Sequence, residues 1–416
     1  MGEWVRKTIS EIGKVQTGST PKTSQKSNYG NHVSFVKPAD FLKNGSLNYE
    51  NQGLSEQGLA TARLVEKDSV LMVCIGATIG KVGFTEVKVT TNQQINSLTP
   101  LHGDSAKFIF YQMLTQDFQK SVLGQASQAT LPIINKKKWS DLSLRLPPIV
   151  DQKRIVAILD EAFEGIDVAI ANTEKNLANA RELFESYLNA IFTRKGDDCK
   201  EVELGSLSER ITKGSSPKWQ GISYVDEPGV LFVTSENVGQ NQMIFDKTKY
   251  VEEAFNEKDS KSILACGDVL TNIVGASIGR TAIYDRDDVA NINQAVCLIR
   301  CKSDKLLNNY LAYLLNSPYF RKILHDNEIN NARANLSLTF FRQLKIPLPS
   351  LQEQQYIVSR MDAFSTEAQR LEAIYQQKLA ALNELKQSIL QKAFSGELTA
   401  EVGDAAVEGA KEVVAA

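Results

Sequence analysis

The sequence predicts an α+β fold written twice: two similar α/β units separated by two long helices packed as an antiparallel coiled coil, with pseudo-two-fold symmetry. Three observations predict it. Motif blocks recur in the same order in both halves, each half ends in a long stretch of helical periodicity, and the two stretches align without a gap. At 416 residues the chain exceeds one ordinary core, so two or more domains are expected.

The blocks are specific. "IGATIGK" (Ile75–Lys81) returns as "VGASIGR" (Val274–Arg280) with its glycine spacing unchanged. "TGSTPK" (Thr17–Lys22) returns as "KGSSPK" (Lys213–Lys218), and "VSFVKPADF" (Val33–Phe41) as "VLFVTSENV" (Val230–Val238). "QQINSL" (Gln93–Leu98) returns as "NQAVCL" (Asn293–Leu298). Four ordered blocks do not recur by chance, so the chain is an internal duplication. Between them, stretches such as "SAKFIFYQMLTQDFQKSVL" and "NNYLAYLLNSPYFRKILHDN" predict amphipathic helices with aromatic and leucine faces in the core.

Each half closes on a proline that stops an incoming strand and an acid–Gln pair that opens a helix. "LPPIVDQKRIVAILDEAF" begins at Leu146 and "LPSLQEQQYIVSRMDAF" at Leu348, and an offset of 202 aligns Pro147 with Pro349, Gln152 with Gln354 and Asp160 with Asp362. In the second helix Ile357, Met361, Phe364, Ala368, Leu371, Tyr375, Leu382, Leu385 and Ile389 step by threes and fours, interrupted at Lys378. In the first, Ile155, Leu159, Phe163, Ile166, Ile170, Leu177, Leu183, Tyr187 and Ile191 trace a similar stripe. Stripes sustained this long predict coiled-coil pairing, and some 42 residues at 1.5 Å each give a length of roughly 60 Å. The expected divisions are a first unit over 1–150, a central helix over 151–196, a second unit over 197–351, a C-terminal helix over 352–398 and a flexible acidic tail over 399–416.

Several chemistries are excluded. The glycine block is not a phosphate-binding P-loop: three residues rather than four separate Gly76 from Gly80, Lys81 is followed by Val82 rather than a hydroxyl, and "VGFTEVKVTT" reads as strand, not helix. Five scattered cysteines suit reduced thiols in a cytoplasmic protein, and the three histidines lie far from Cys297 and Cys301, which disfavours zinc. Glu86-Val87-Lys88 fits the end of a nuclease pattern but reads as an exposed strand face. No apolar run approaches a membrane span, and Met1–Ser10 lacks the apolar core of a signal peptide. Net charge is −2, yet residues 1–150 carry 17 Lys/Arg against 11 Asp/Glu while residues 197–351 carry 18 against 20. A DNA-binding role would therefore need partners to supply part of the phosphate neutralisation.

The paired "LPP…DQ…IV" and "LPS…EQ…IV" segments, the "TGSTPK" opening and the twin glycine hairpins resemble the DNA specificity subunit of type I restriction–modification systems, over nearly the whole chain up to Leu398. The resemblance implies that each unit is a target recognition domain reading half of an asymmetric, bipartite double-stranded DNA site. It implies that the helices act as a ruler and dock two methyltransferase subunits, which hold S-adenosylmethionine and methylate adenine N6, with motor-nuclease subunits joined through them. This chain would have no catalytic residue, no metal and no cofactor of its own. It has no methyltransferase Asn/Asp-Pro-Pro-aromatic motif, since "LPPI" lacks the leading amide or acid. A specificity subunit of a stand-alone methyltransferase, or of a system cutting on both sides of its site, remains an alternative. So does a two-headed protein adaptor.

DNA contacts are expected from polar side chains on loops. The first loop offers Ser19, Thr20, Lys22, Lys26 and Asn28, and its second copy Ser215, Ser216 and Lys218. The loop before each closing strand offers Gln125, Gln128 and Thr130 in one half and Asn330, Asn331 and Arg333 in the other. Aligning Leu131 with Leu336 matches Gln128 to Arg333. Lys81 and Arg280, cations after both glycine hairpins, suit phosphate. Lys37, Thr234 and Asn237 border hydrophobic strands. Trp219 is expected to be half-buried packing, with stacking on DNA as the alternative.

Overall fold

The structure is a computed structural model that describes residues 3–127, 131–193, 200–226, 229–330 and 334–397; the acidic tail lies outside them. The chain divides into two compact units, one of Met1–Lys175 with Gln376–Ala416, the other of Asn176–Tyr375. Each contains one half of each long helix.

In the first unit a four-stranded antiparallel sheet runs in the order Gly13–Thr17, Ile95–Pro100, Ser69–Val73, Val82–Thr85. "SVLMV" at Ser69–Val73 is buried at every position, as its unbroken apolar run demands of an interior strand. The second unit repeats the order with Ser208–Lys213, Val296–Cys301, Val269–Asn272 and Thr281–Ile283. The repeated block fixes the register: Leu98 pairs with Val15 and Val70, Leu298 with Thr212 and Leu270, and both leucines are fully buried. A smaller sheet in each unit contains one parallel pair, Ser34–Val36 with Val89–Thr91 and Val230–Val233 with Ala290–Ile292.

The amphipathic stretches fold as helix pairs, Ala106–Met113 with Gln116–Gln125 and Asn308–Asn316 with Pro318–Asp326. The break falls at Thr115 and at Ser317, whose hydroxyls cap the following helix by accepting from Phe118 N and Phe320 N. The aromatic faces are core, as expected: Phe108 and Tyr310 are buried in the two main clusters.

The long helices span Ile149–Thr193 and Leu351–Ser395. In the first unit Ile155, Leu159, Phe163 and Ile166, from the start of one helix, share a core with Leu382, Ile389, Leu390 and Ala393, from the end of the other. Lys386 there donates to Asp167 at 2.7 Å and lies over the Phe163 ring. In the second unit Arg181 pairs with Glu372 at 3.0 Å and Tyr187 packs on Phe364 at 4.7 Å. As one number rises its partner's falls, so the helices are antiparallel. One seam position differs from the sequence reading: Leu183 is exposed, and Ala180 and Phe184 take its place against the partner helix. Two adjacent apolar residues cannot both face a narrow seam, and the flat Phe184 ring stacks on Phe364.

A buried glutamine ties each long helix to the unit that precedes it in sequence. Gln152 accepts from Ser105 N at 2.9 Å and donates to Pro147 O at 2.9 Å and to Asp104. Gln354 accepts from Leu307 N at 2.9 Å and donates to Lys305 O and Pro349 O at 3.0 Å each. Two turns further on, Tyr111 donates to Asp160 and Tyr313 to Asp362, at 2.5 and 2.6 Å. Burial and the adjacent carboxylate both push these phenols upward in pKa, so they remain donors at any physiological pH. Gln354→Ala should therefore strand a buried amide N–H and two carbonyls and cost about 2–4 kcal/mol. Urea unfolding of the full chain measures this, and a loss under 1 kcal/mol would contradict the role.

Candidate nucleic-acid interface

In the first unit three loops are brought together by main-chain bonds; in the second, such bonds join the second and third loops, and the first lies with Gly214 packed on Ile292 O. The first is the "TGSTPK" loop. Gly18 N donates to Ile95 O and Ser19 N to Thr91 O, at 3.0 and 2.9 Å. This close approach requires glycine, because a Cβ on Gly18 would stand 2.2 Å from Asn92 O, and one on Gly214 would stand 1.7 Å from Ile292 O. Thr20 then donates to Gln93 at 2.5 Å, while the neighbouring Gln94 O accepts from Cys74 N. The "NQQ" segment therefore joins the first loop to the glycine turn.

The glycine turn is the second element. Gly76 and Gly80 have φ of +105° and +88°, and Gly275 and Gly279 have +78° and +84°, a conformation that disfavours any side chain. The same bonds close both copies: Gly80 N to Val73 O and Lys81 N to Thr78 O, Gly279 N to Asn272 O and Arg280 N to Ser277 O. These glycines shape a hairpin between strands, and nothing in its geometry resembles a phosphate cradle at a helix start.

The third element is the loop before each closing strand. Gly76 N donates to Pro132 O and Ile134 N to Cys74 O, while Leu336 N donates to Ile273 O. Ile75 bridges Ile133 and Val274 bridges Asn335. Next in sequence, Asn135 and Ser337 each cap a short helix. Ile134 is thus the counterpart of Leu336, and the match of Leu131 to Leu336 is corrected by three residues. Carried back through the sequence without a gap, this register aligns Gln128 with Asn330 rather than with Arg333. Hydrophobic identity misled the alignment; backbone pairing decides it.

The individual candidates separate by burial. Lys22, Lys26, Lys37, Lys81, Gln125, Lys218 and Arg280 are exposed, as is Thr20. Among the described residues no ion pair engages Lys81 or Arg280. Among the described residues Ser19 Oγ is buried without a hydrogen-bond partner. Ser216 is half-buried, and Ser215 is committed to Asp259 and Gln220 at 2.6 Å each. Asn28, Thr234 and Asn237 are buried and employed internally. Asn28 donates to Lys22 O, and Asn237 accepts from Thr234 N while donating to Ile244 O and Lys247 O. The fold consumes these three as loop braces, which removes them as base readers. Gln128, Thr130, Asn331 and Arg333 lie outside the described residues, as does the side chain of Asn330.

One group escaped the sequence reading. Lys136, Lys137 and Lys138 project from the short helix Lys136–Ser140, anchored by the fully buried Trp139, and Lys138 donates to Gln125 O at 3.1 Å. The signal was the bare run "KKKW"; it concentrates the first unit's excess of positive charge beside its third loop. The equivalent helix of the second unit, Leu338–Gln343, carries Arg342 in place of the three lysines.

Loop ends held by backbone and side chains left outward define a recognition module, present twice. The model of the type I restriction modification DNA specificity domain matches the chain over residues 1–179 and again over 196–381. The chain belongs to this family, whose specificity subunits direct DNA sequence recognition and are non-catalytic. It is 24% identical to the type I restriction enzyme EcoBI specificity subunit of Escherichia coli, across 96% of this chain and 87% of that one. It is 25% identical to the MjaVIII specificity subunit of Methanocaldococcus jannaschii, across 72% of each. A chain from a structural study of complex assembly and conformational transition in the type I R-M system shares the fold, with a TM-score of 0.76, 17% identity and coverage of 94% of this chain and 97% of that one. Among the described residues no helix is long and apolar enough to cross a membrane, and no cluster of three His, Cys, Asp or Glu could hold a metal.

Lys81→Glu and Arg280→Glu should each weaken DNA binding uniformly across sequences and lower the slope of log affinity against log salt by about one. Fluorescence anisotropy titrations at several salt concentrations read this out. A change in which bases are preferred would make these residues base readers instead.

Proposed function

We propose that this chain reads a bipartite, asymmetric site in double-stranded DNA, one half-site per unit. The paired helices set the gap and dock two adenine-N6 methyltransferase subunits, and through them motor-nuclease subunits, in the cytoplasm. The observation that carries the reading is the twice-built face of three loops with an exposed cation after each glycine turn, unpaired among the described residues. The braced loops favour fixed, outward side chains, as base-edge recognition requires. Their sequences differ between the units, which suits two different half-sites.

The ruler reading is supported by helix continuity. Each 45-residue helix passes unbroken from the contacts of one unit into those of the other. A continuous helix advances 1.5 Å per residue, so its length would set a spacing that is independent of which bases are read. The docking reading is supported by apolar side chains left outward on the helices. Val168 in the first unit, and Leu183 and Ile374 in the second, are exposed. Lys81 and Arg280 would hold backbone phosphates, and Thr20, Lys22, Lys26, Gln125 and Lys218 would face the grooves. By sequence position Gln128, Thr130, Asn330, Asn331 and Arg333 would join them.

Co-expressing the chain with a methyltransferase subunit encoded beside it, and mapping N6-methyladenine across the host genome, tests the proposal. The expected result is one motif of two half-sites separated by a gap of fixed length, absent when this chain is omitted. Methylation that does not depend on the chain, or a single uninterrupted motif, would overturn it.

A further inference from the structure

Trp219, expected to be half-buried packing, is instead 81% exposed. The contrast with the chain's other two tryptophans is sharp. Trp139 is fully buried, and Trp4 packs its ring against Phe108 and Phe394. An indole left in water forfeits the largest apolar burial any side chain offers, so a fold that presents one outward does so against its own stability.

The turn that carries it is fixed. Trp219 lies in the 3₁₀ turn Pro217–Gln220, which the left-handed Gly221 closes at φ +69°. Ile222 N donates back to Pro217 O at 3.0 Å, and both residues are buried beneath the turn. From one side Gln220 reaches Ser215, which donates to the buried carboxylate of Asp259; from the other Lys258 donates to Gln220 O at 2.8 Å. These bonds brace the turn and leave the indole exposed. Its sequence neighbour Lys218 is exposed too, so the same short turn carries a cation as well as the indole. The turn extends the loop whose Gly214 packs on Ile292 and Asn293, so it belongs to the recognition face of the second unit. The "TGSTPK" and "KGSSPK" register puts Thr23 at the corresponding position of the first unit, so the aromatic group is present once.

We propose that Trp219 is a DNA-contacting, specificity-determining residue of the second unit. Its indole lies against the base stack of that half-site as a stacking face or wedge, while Lys218 holds the adjacent phosphate. This rests on the DNA-recognition reading above. An aromatic wedge gains most at a base step that unstacks easily, so it reads deformability where no base-edge hydrogen bond is made. The two half-sites are then read by different physics, one with an aromatic contact and one without.

The test uses the full chain assembled with its methyltransferase subunit and duplexes carrying the mapped motif. Trp219→Ala should weaken binding at least tenfold. It should also flatten the preference at one position or step of the second half-site and leave the first half-site's preferences unchanged. Trp219→Phe, which retains an aromatic face, should bind within about threefold of the parent. Because the ring is exposed, both variants should unfold at the parent's denaturant midpoint, which separates recognition from folding. Binding by Trp219→Ala within twofold of the parent, with its preferences intact, would overturn the inference and leave the DNA-recognition reading standing. Loss of the methyltransferase subunit from the Trp219→Ala complex would also overturn it, by assigning the indole to a protein contact. If the parent complex bound no duplex bearing the motif, both readings would fall.

Discussion

The backbone pairing between the glycine turn and the segment that closes the third loop is the interaction on which each unit's face depends. Gly76 N to Pro132 O and Ile134 N to Cys74 O hold it in one copy, and Leu336 N to Ile273 O holds it in the other. Main-chain bonds are indifferent to side-chain identity, so the loops between these anchors can change every polar residue without losing their position. Glycine makes this possible twice over. Positive φ closes the turn, and the missing Cβ of Gly18 and Gly214 lets the first loop lie against the strand end. A recognition surface needs variable chemistry on an invariant frame, and here the frame is almost entirely backbone.

A second constraint links that frame to the helices. Gln152 and Gln354 are buried at the start of each long helix, and each satisfies donors and acceptors of the preceding loop and the proline stop. A buried amide has four hydrogen-bonding sites and strict geometry, so it fixes orientation where an apolar residue would only fill space. The Tyr111–Asp160 and Tyr313–Asp362 pairs repeat the constraint two turns on. Within each unit, the direction in which the helix leaves is therefore set by polar bonds, while the helix pair itself is held by apolar packing.

Much of this was legible in the sequence because it depends on spacing. The duplication, the strand after the glycine turn, the aromatic cores and the antiparallel helices all follow from periodicity and repeat order. What escaped depended on burial within loops, where periodicity is silent. Asn28, Thr234 and Asn237 look like any exposed polar residues until the bonds of Asn28 and Asn237 to loop carbonyls, and of Thr234 to Asn237, are seen. Leu183 was lost because adjacent Phe184 had an equal claim on the seam. The match of Gln128 to Arg333 followed a leucine identity, whereas strand bridges and helix caps put the register three residues away. Tryptophan is usually buried, so the sequence alone points Trp219 to packing, and only the fold shows it exposed.

The central claim is that DNA meets the three anchored loops of both units and not the backs of their sheets. Hydrogen–deuterium exchange of the assembled chain, with and without a duplex bearing its motif, measures this most directly. The account predicts slowed exchange in six segments, 18–28, 75–81 and 125–134 in one unit and 214–222, 274–280 and 329–336 in the other. Protection confined to one unit, or falling on Val5–Thr8 and Lys200–Glu203 while these six segments stay unchanged, would contradict it.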